Sequence, residues 1–382
     1  MLLRNLLITA SCSMSIGLAV TASAGVSEQE AAMLSTTLTP IGAERDANTD
    51  GSIPAWNEKG VTIPAAYVPG SGNYPDPYSD DKVILTIDQS NWQRYADNLT
   101  EGTKALFEKF AGDGFRLDVY PSHRDFVPVD WIQKNTRINA RNASLTQDGL
   151  VIEGNIPGHP FPIPKAALEV LWNHMIRPIP NHQYEYDSYY VTSDGKPILS
   201  TTADGYYWME AFEEENRQST EDIAWLKLRI DYKAPARRAG EILLVHEPGS
   251  DFSKGKGRKA WQYLTGQRRV RLAPAVAFDT PNPAVAGTST YDDSFIFNGS
   301  PERYNWTLLG KKEMYIPYNN YKFIMATQIK DSLGEKFIKP EYIRWEKHRV
   351  WIVEGNLKEG RRHSYSKRRF YIVLNQLQYA RL

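Results

Sequence analysis

The sequence predicts an α+β fold that is mainly β: a large antiparallel sheet with a few helices packed against it. Three observations carry that expectation. The first is hairpin punctuation. Asp194-Gly195 and Gly266-Gln267 separate runs in which apolar and polar residues alternate, and Asp-Gly supplies the positive φ that a tight turn needs. The second is the scarcity of helical spacing, with no strand–helix alternation of the kind that builds a parallel nucleotide-binding sheet. The third is composition: 22 Tyr and 10 Trp among 382 residues suit half-buried sheet faces.

The elements follow in order. Residues 1–24 read as a signal peptide. Arg4 is its single charge, residues 6–20 are apolar, and Ala22 and Ala24 stand at −3 and −1 relative to a cut between Ala24 and Gly25. The apolar run falls short of the about 20 residues that span a bilayer. Cys12, the only cysteine, leaves with it, so the expected mature chain has no disulfide and no thiol nucleophile. No later segment reads as a transmembrane helix. Lys+Arg and Asp+Glu both number 45, a balance that argues against bulk nucleic-acid binding.

Residues 25–77 read as an extended arm that begins with a short helix in 28–38. Pro64, Pro69, Pro75 and Pro77 forbid a regular helix in its second half. Residues 78–371 read as one β-rich domain. Within it, Trp92, Tyr95, Leu99, Leu106 and Phe110 predict a helix over 90–110, and Ala167, Leu168, Leu171 and Trp172 predict one over 165–175. Strands are expected at 115–120, 136–146, 183–192, 197–202, 206–212, 225–233, 240–247, 259–264, 268–272, 342–354 and 362–373. Turns are expected at 193–196 and again at 203–205. Residues 372–382 read as an atypical tail, of the kind a truncation or frameshift would leave in place of the last strands.

Candidate sites are few. Asp46, Asn48 and Asp50, with Gly51 and Ile53, fit the first positions of a calcium loop. The twelfth position is Asn57, with Glu58 one place late, and an Asx-rich polar turn explains the same residues without a metal. Apart from this calcium reading, no cofactor is expected. The seven histidines lack helical zinc spacing, Gly-x-Ser-x-Gly is absent, and Lys254-Gly255-Lys256-Gly257 lacks the ending of a phosphate loop. The carboxylates of 213–215 and the pair Asp292-Asp293 sit in polar runs. No catalytic residue is named, and the protein is expected not to be an enzyme.

Longer blocks of sequence resemble a known family. Leu38-Thr39-Pro40-Ile41-Gly42-Ala43-Glu44-Arg45 and Asn48-Thr49-Asp50-Gly51-Ser52-Ile53-Pro54-Ala55-Trp56 open the resemblance. Ala260-Trp261-Gln262-Tyr263-Leu264, Arg303-Tyr304-Asn305-Trp306, Gly310-Lys311-Lys312-Glu313-Met314-Tyr315-Ile316-Pro317 and Trp345-Glu346 with His348-Arg349-Val350-Trp351 continue it. In these blocks the chain resembles the domain-of-unknown-function family numbered 1329. The resemblance implies a Gram-negative periplasmic protein and a curved half-barrel sheet similar to that of outer-membrane lipoprotein-sorting carriers, with helices on its concave side. It also implies a partner: a resistance-nodulation-division exporter or an outer-membrane protein.

Together these readings lead to an expected carrier or accessory protein for a lipid or other hydrophobic molecule. The alternative is a periplasmic adaptor or scaffold with no small ligand. An open apolar cavity would favour the carrier, and a filled core between sheet and helices would favour the adaptor.

Overall fold

A computed structural model describes residues 25–373 except 220, 254, 274–278 and 327. The expected signal peptide, and the tail beyond Val373, lie outside the described residues. The molecule is mainly β, with an open antiparallel architecture and a few helices.

The arm begins with helix α1 (Glu28–Ala32). Ser27 caps it: its Oγ accepts from the Glu30 N–H at 3.2 Å, and Glu30 Oε2 accepts from the Ser27 N–H at 2.9 Å. The rest of the arm is irregular but tied down. Leu34, Ile41 and Ile53 are fully buried, and the Trp56 indole donates to the Phe126 carbonyl at 2.9 Å. Arg124, itself buried, donates to the carbonyls of Glu44 and Pro54 and so fixes the arm from below.

Strand β1 (Leu85–Ile87) opens the main body. The helix expected over 90–110 divides in two: a 3₁₀ segment over Trp92–Asn98, then α2 (Glu101–Lys109). Leu99 is extended between them, and Thr100 caps α2 by accepting from the Thr103 N–H at 3.1 Å. Strand β2 (Leu117–Val119) follows.

Next comes α3 (Asp130–Asn142), where the sequence predicts a strand from 136. Its buried face carries Ile132, Asn135, Thr136, Asn139 and Ala140. Three of these are polar, so the helical period is invisible to a hydrophobicity reading. Their polar side chains take the place of apolar contacts: Asn139 accepts from the Ile156 N–H and donates to its carbonyl, both at 2.8 Å. A small hairpin, β3 (Ser144–Thr146) with β4 (Val151–Glu153), leads on.

Helix α4 (Ala167–Met175) has eight buried residues of its nine, as a helix enclosed on all sides does. It packs on the strands near the chain's end within the largest apolar cluster, which also takes in Trp225, Phe297, Val353 and Phe370.

Six strands then form one antiparallel sheet: β5 (His182–Val191), β6 (Pro197–Trp208), β7 (Leu226–Ala234), β8 (Ile242–Glu247), β9 (Lys259–Leu264) and β10 (Arg269–Leu272). Each pairs with its sequence neighbour. The β5–β6 turn falls where predicted, with Gly195 at φ +80°. The second turn, expected at 203–205, does not exist: β6 runs straight through Asp204-Gly205. Gly205 has another purpose there. A Cβ on it would lie 2.1 Å from the Tyr184 ring, which crosses it from β5.

The second large sheet holds β1, β2, β11 (Tyr304–Pro317), β12 (Trp345–Leu357) and β13 (Lys367–Ile372), in the order β1-β2-β12-β11 with β13 also on β12. The predicted antiparallel strands are thus shared between two large sheets. β11, the longest strand, is not among the sequence-predicted ones. Its alternation is broken by Gly310-Lys311-Lys312 and by a register shift between Leu308 and Gly310, where Gly310 sits at φ +102°. No helix among the described residues is long and apolar enough to cross a membrane.

Candidate functional site

One face of the six-stranded sheet is dry. Leu243 and Val245 of β8 and Ala260 of β9 pack there with Tyr232 and Ala284. The alternate residues point to the other side and meet across the ladder: Arg229 opposite Leu244, Leu244 opposite Trp261, Ile242 opposite Tyr263, Tyr263 opposite Val270. This other face is open. Arg229, Ile242, Leu244, His246, Trp261, Tyr263 and Val270 line a groove of about 570 Å³. That volume lies in the range of about 300–1,000 Å³ that small-molecule sites take. By contrast, the cavity lined by Lys311, His348 and Trp351 holds about 30 Å³.

The groove floor is aliphatic and aromatic, and its polar groups sit at the edge. Arg229 is paired with Asp231 at 2.8 Å and lies over the Tyr206 ring. Lys227 is paired with Glu210 at 2.7 Å and lies over Trp208, which is 45% exposed. His246 packs edge-on against Trp261. Burial, and then the Lys227 ammonium, hold the His246 imidazole below its ordinary pKa, so it is neutral at pH 7. The surface is apolar with no free charge on its floor, which suits an aliphatic or aromatic occupant.

A second constellation lies where the segments before β1 and after β2 meet β12, and sequence reasoning did not find it. Glu346 is fully buried and is nonetheless an ion-pairing carboxylate. Its Oε1 accepts from Arg344 Nε at 2.5 Å and Asn319 Nδ2 at 3.0 Å, and its Oε2 accepts from the His123 N–H and lies beside His348 Nε2, both at 2.9 Å. Arg344 also reaches Asp81 at 2.5 Å, and Asp81 meets His123 Nε2 at 2.8 Å. Tyr78 stacks on His123 at 3.9 Å and donates to Asp125 at 3.1 Å. Burial alone would raise the Glu346 pKa, but His348 and Arg344 hold it below the ordinary value. Every one of these charges has a partner, so the network locks the segments before β1 and after β2 onto β12. The signal that could have located it is the run Arg344-Trp345-Glu346-Lys347-His348: at strand spacing, it places Arg344, Glu346 and His348 on one side.

The calcium-loop residues are spread through a polar turn. Asn48 donates to Ser52 Oγ and Glu313 Oε2, both at 3.0 Å, and accepts from the Ile53 N–H at 2.9 Å. Asp50 accepts from the Ser52 N–H at 2.9 Å, and its second oxygen faces Lys347 Nζ at 3.1 Å. The Ser52 hydrogen bonds, with Lys347, hold its carboxyl well below the usual range. Asp46 is exposed, and its backbone carbonyl accepts from Arg349 at 3.0 Å. Two of the three expected ligands thus already clamp the turn to β11 and β12, and the cation that Asp50 meets is an ammonium.

The other singled-out carboxylates serve as anchors. Asp292 and Asp293 hold Arg368 of β13 at 2.8 and 2.7 Å, and Asp292 also meets His363 at 3.0 Å. Glu213 accepts from the Trp208 indole at 2.8 Å and from Asn181 at 2.7 Å.

Comparison with known proteins places these features in a wider set. The profile of a family described as "Protein of unknown function (DUF1329)" matches residues 86–380. A Pseudomonas aeruginosa protein, PA3922, described as uncharacterized, is 39% identical over 365 residues, covering 93% of this chain and 77% of that one. Among solved structures, a domain described as an outer membrane lipoprotein-sorting protein from Vibrio parahaemolyticus is similar over 55% of this chain, at 12% identity and a TM-score of 0.32. A DUF1329 family protein from Desulfovibrio piger is similar over 54%, at 16% identity and a TM-score of 0.29. The chain spans just under two thirds of each solved chain, 66% and 65%.

Proposed function

The chain belongs to the DUF1329 family, and for this member we propose a role as a periplasmic carrier that holds a lipid-like, largely apolar molecule in the groove over β7–β10. The observation that supports it is the groove itself: about 570 Å³, floored by Ile242, Leu244, Trp261 and Tyr263 and lined by residues of β7–β10 alone. Burial of an acyl chain there would contribute about 0.8 kcal/mol per methylene. The role is one of binding and release, with no chemical step, and the receiving partner would be an exporter or an outer-membrane protein.

Native mass spectrometry on gently purified protein tests this, together with displacement of a fluorescent fatty acid. Wild type should carry or bind a hydrophobic molecule, and Trp261→Ala should weaken it at least about tenfold while staying folded. If neither protein carries nor binds any lipid, the carrier role fails.

The adaptor reading keeps one observation of its own. The space between sheet and helices is filled, with α4 enclosed and Val170, Leu171 and Trp172 wholly buried. An adaptor would show a protein partner and no lipid in the same experiments.

A further inference from the structure

Among the described residues, β10 has a neighbour on one side only, β9. The Ala273 N–H donates to the Ala260 carbonyl at 2.8 Å. By the alternation of an antiparallel ladder, the amides of Arg269 and Arg271 also face β9, and those of Val270 and Leu272 face away. Val270 and Leu272 are 65% and 62% exposed, and their side chains stand on the groove side, opposite Tyr263 and Trp261. Arg269 and Arg271 project from the other side of the sheet. Both are exposed, and neither has an ion-pair partner among the described residues.

Arginines on an edge strand repel a second basic edge, so β10 is guarded against pairing with itself. The same pattern admits a strand of opposite character. A segment that brings carboxylates to the arginine side gains charge-assisted hydrogen bonds. If its alternate residues are apolar, they cover Val270 and Leu272. We propose that β10 is a docking edge for an extended, acidic segment of a partner protein, which adds a seventh strand through the outward amides of Val270 and Leu272. The edge borders the groove, so such a strand would raise a wall along its open side. Only this purpose rests on the carrier role; the contact itself does not.

A fluorescein-labelled synthetic peptide of alternating valine and glutamate tests the edge, with its valine–lysine counterpart as control. Fluorescence anisotropy should show the acidic peptide binding and the basic one not, with binding that weakens as salt rises. The double variant Arg269→Glu/Arg271→Glu should lose about tenfold or more. Leu272→Pro removes an outward N–H while leaving both arginines and the β9 pairing, and should also lose binding. Equal binding of both peptides, or full binding by Leu272→Pro, would overturn the proposal, since attraction to charge alone would then explain the contact. Trp261→Ala separates the two ideas: it should lose the fatty acid and keep the peptide.

Discussion

The lock at β12 and the groove over β9 invert each other. On β12 the charged residues of an alternating strand face inward: Glu346 and His348 are 0% and 2% exposed. On β9 the large aromatics Trp261 and Tyr263 face outward over an open groove. The lock is tolerable because it is complete, with Glu346 engaged by Arg344, Asn319, His123 and His348. The groove is incomplete: its apolar floor has no cover, which fits a face that waits for an occupant. Damage to the first should therefore cost folding, and damage to the second should cost binding.

The strongest way to break that contrast is Glu346→Ala. It leaves His348 and the Arg344 Nε buried without their acceptor and should destabilise by about 3–5 kcal/mol in urea denaturation. If stability holds and only ligand binding is lost, the lock belongs to the functional surface.

The pH response comes next. Burial pushes His159 down to about 4 and His174 down to about 3, from an ordinary value of 6.5. Below pH 6.5 the unfolded chain gains protons that the folded chain refuses. Stability is therefore lost as pH falls from 6.5 toward 4, by roughly 2–3 kcal/mol for each histidine. The urea midpoint should drop across that window, and His159→Phe should flatten the slope.

Gly205→Ala should cost about 1–3 kcal/mol, because the new methyl meets the Tyr184 ring and that ring is stacked on Tyr186. Smallest in stability is Trp261→Ala, at about 1 kcal/mol or less for a partly exposed side chain. Its effect should appear in ligand affinity instead. A large loss of stability there would show that the groove wall is part of the core.

Legibility in the sequence followed the same divide. The β7–β10 ladder was readable because Ile242-Leu243-Leu244-Val245 is a short β-branched and aliphatic run, and because Trp261 and Tyr263 alternate with Ala260 and Gln262. The two-faced reading did not say which apolar face stays open, since both faces of β8 are aliphatic. The lock was not readable. Glu346, Lys347, His348 and Arg349 look like a solvated stretch, and the partners that make burial affordable, Asp81 and His123, are remote in sequence. Helix α3 was missed for a related reason: Asn135, Thr136 and Asn139 look like surface, yet they satisfy buried backbone groups of residues 156–159. The calcium motif was legible as a pattern, but Lys347, which meets Asp50, comes from a distant strand.

One strand governs when the second sheet can form. All 13 residues of β12 belong to a ladder with β11, six of them also pair with β13, and Trp345 bridges to Val119 of β2. The early strands β1 and β2 therefore have no larger sheet to join until β12, at residues 345–357, has emerged. A protein built this way folds late and through distant contacts, which slows folding and prolongs exposure of its edges. It should need protection in the interval, and its slowest-exchanging amides should cluster on β12, where exchange requires the whole sheet to come apart.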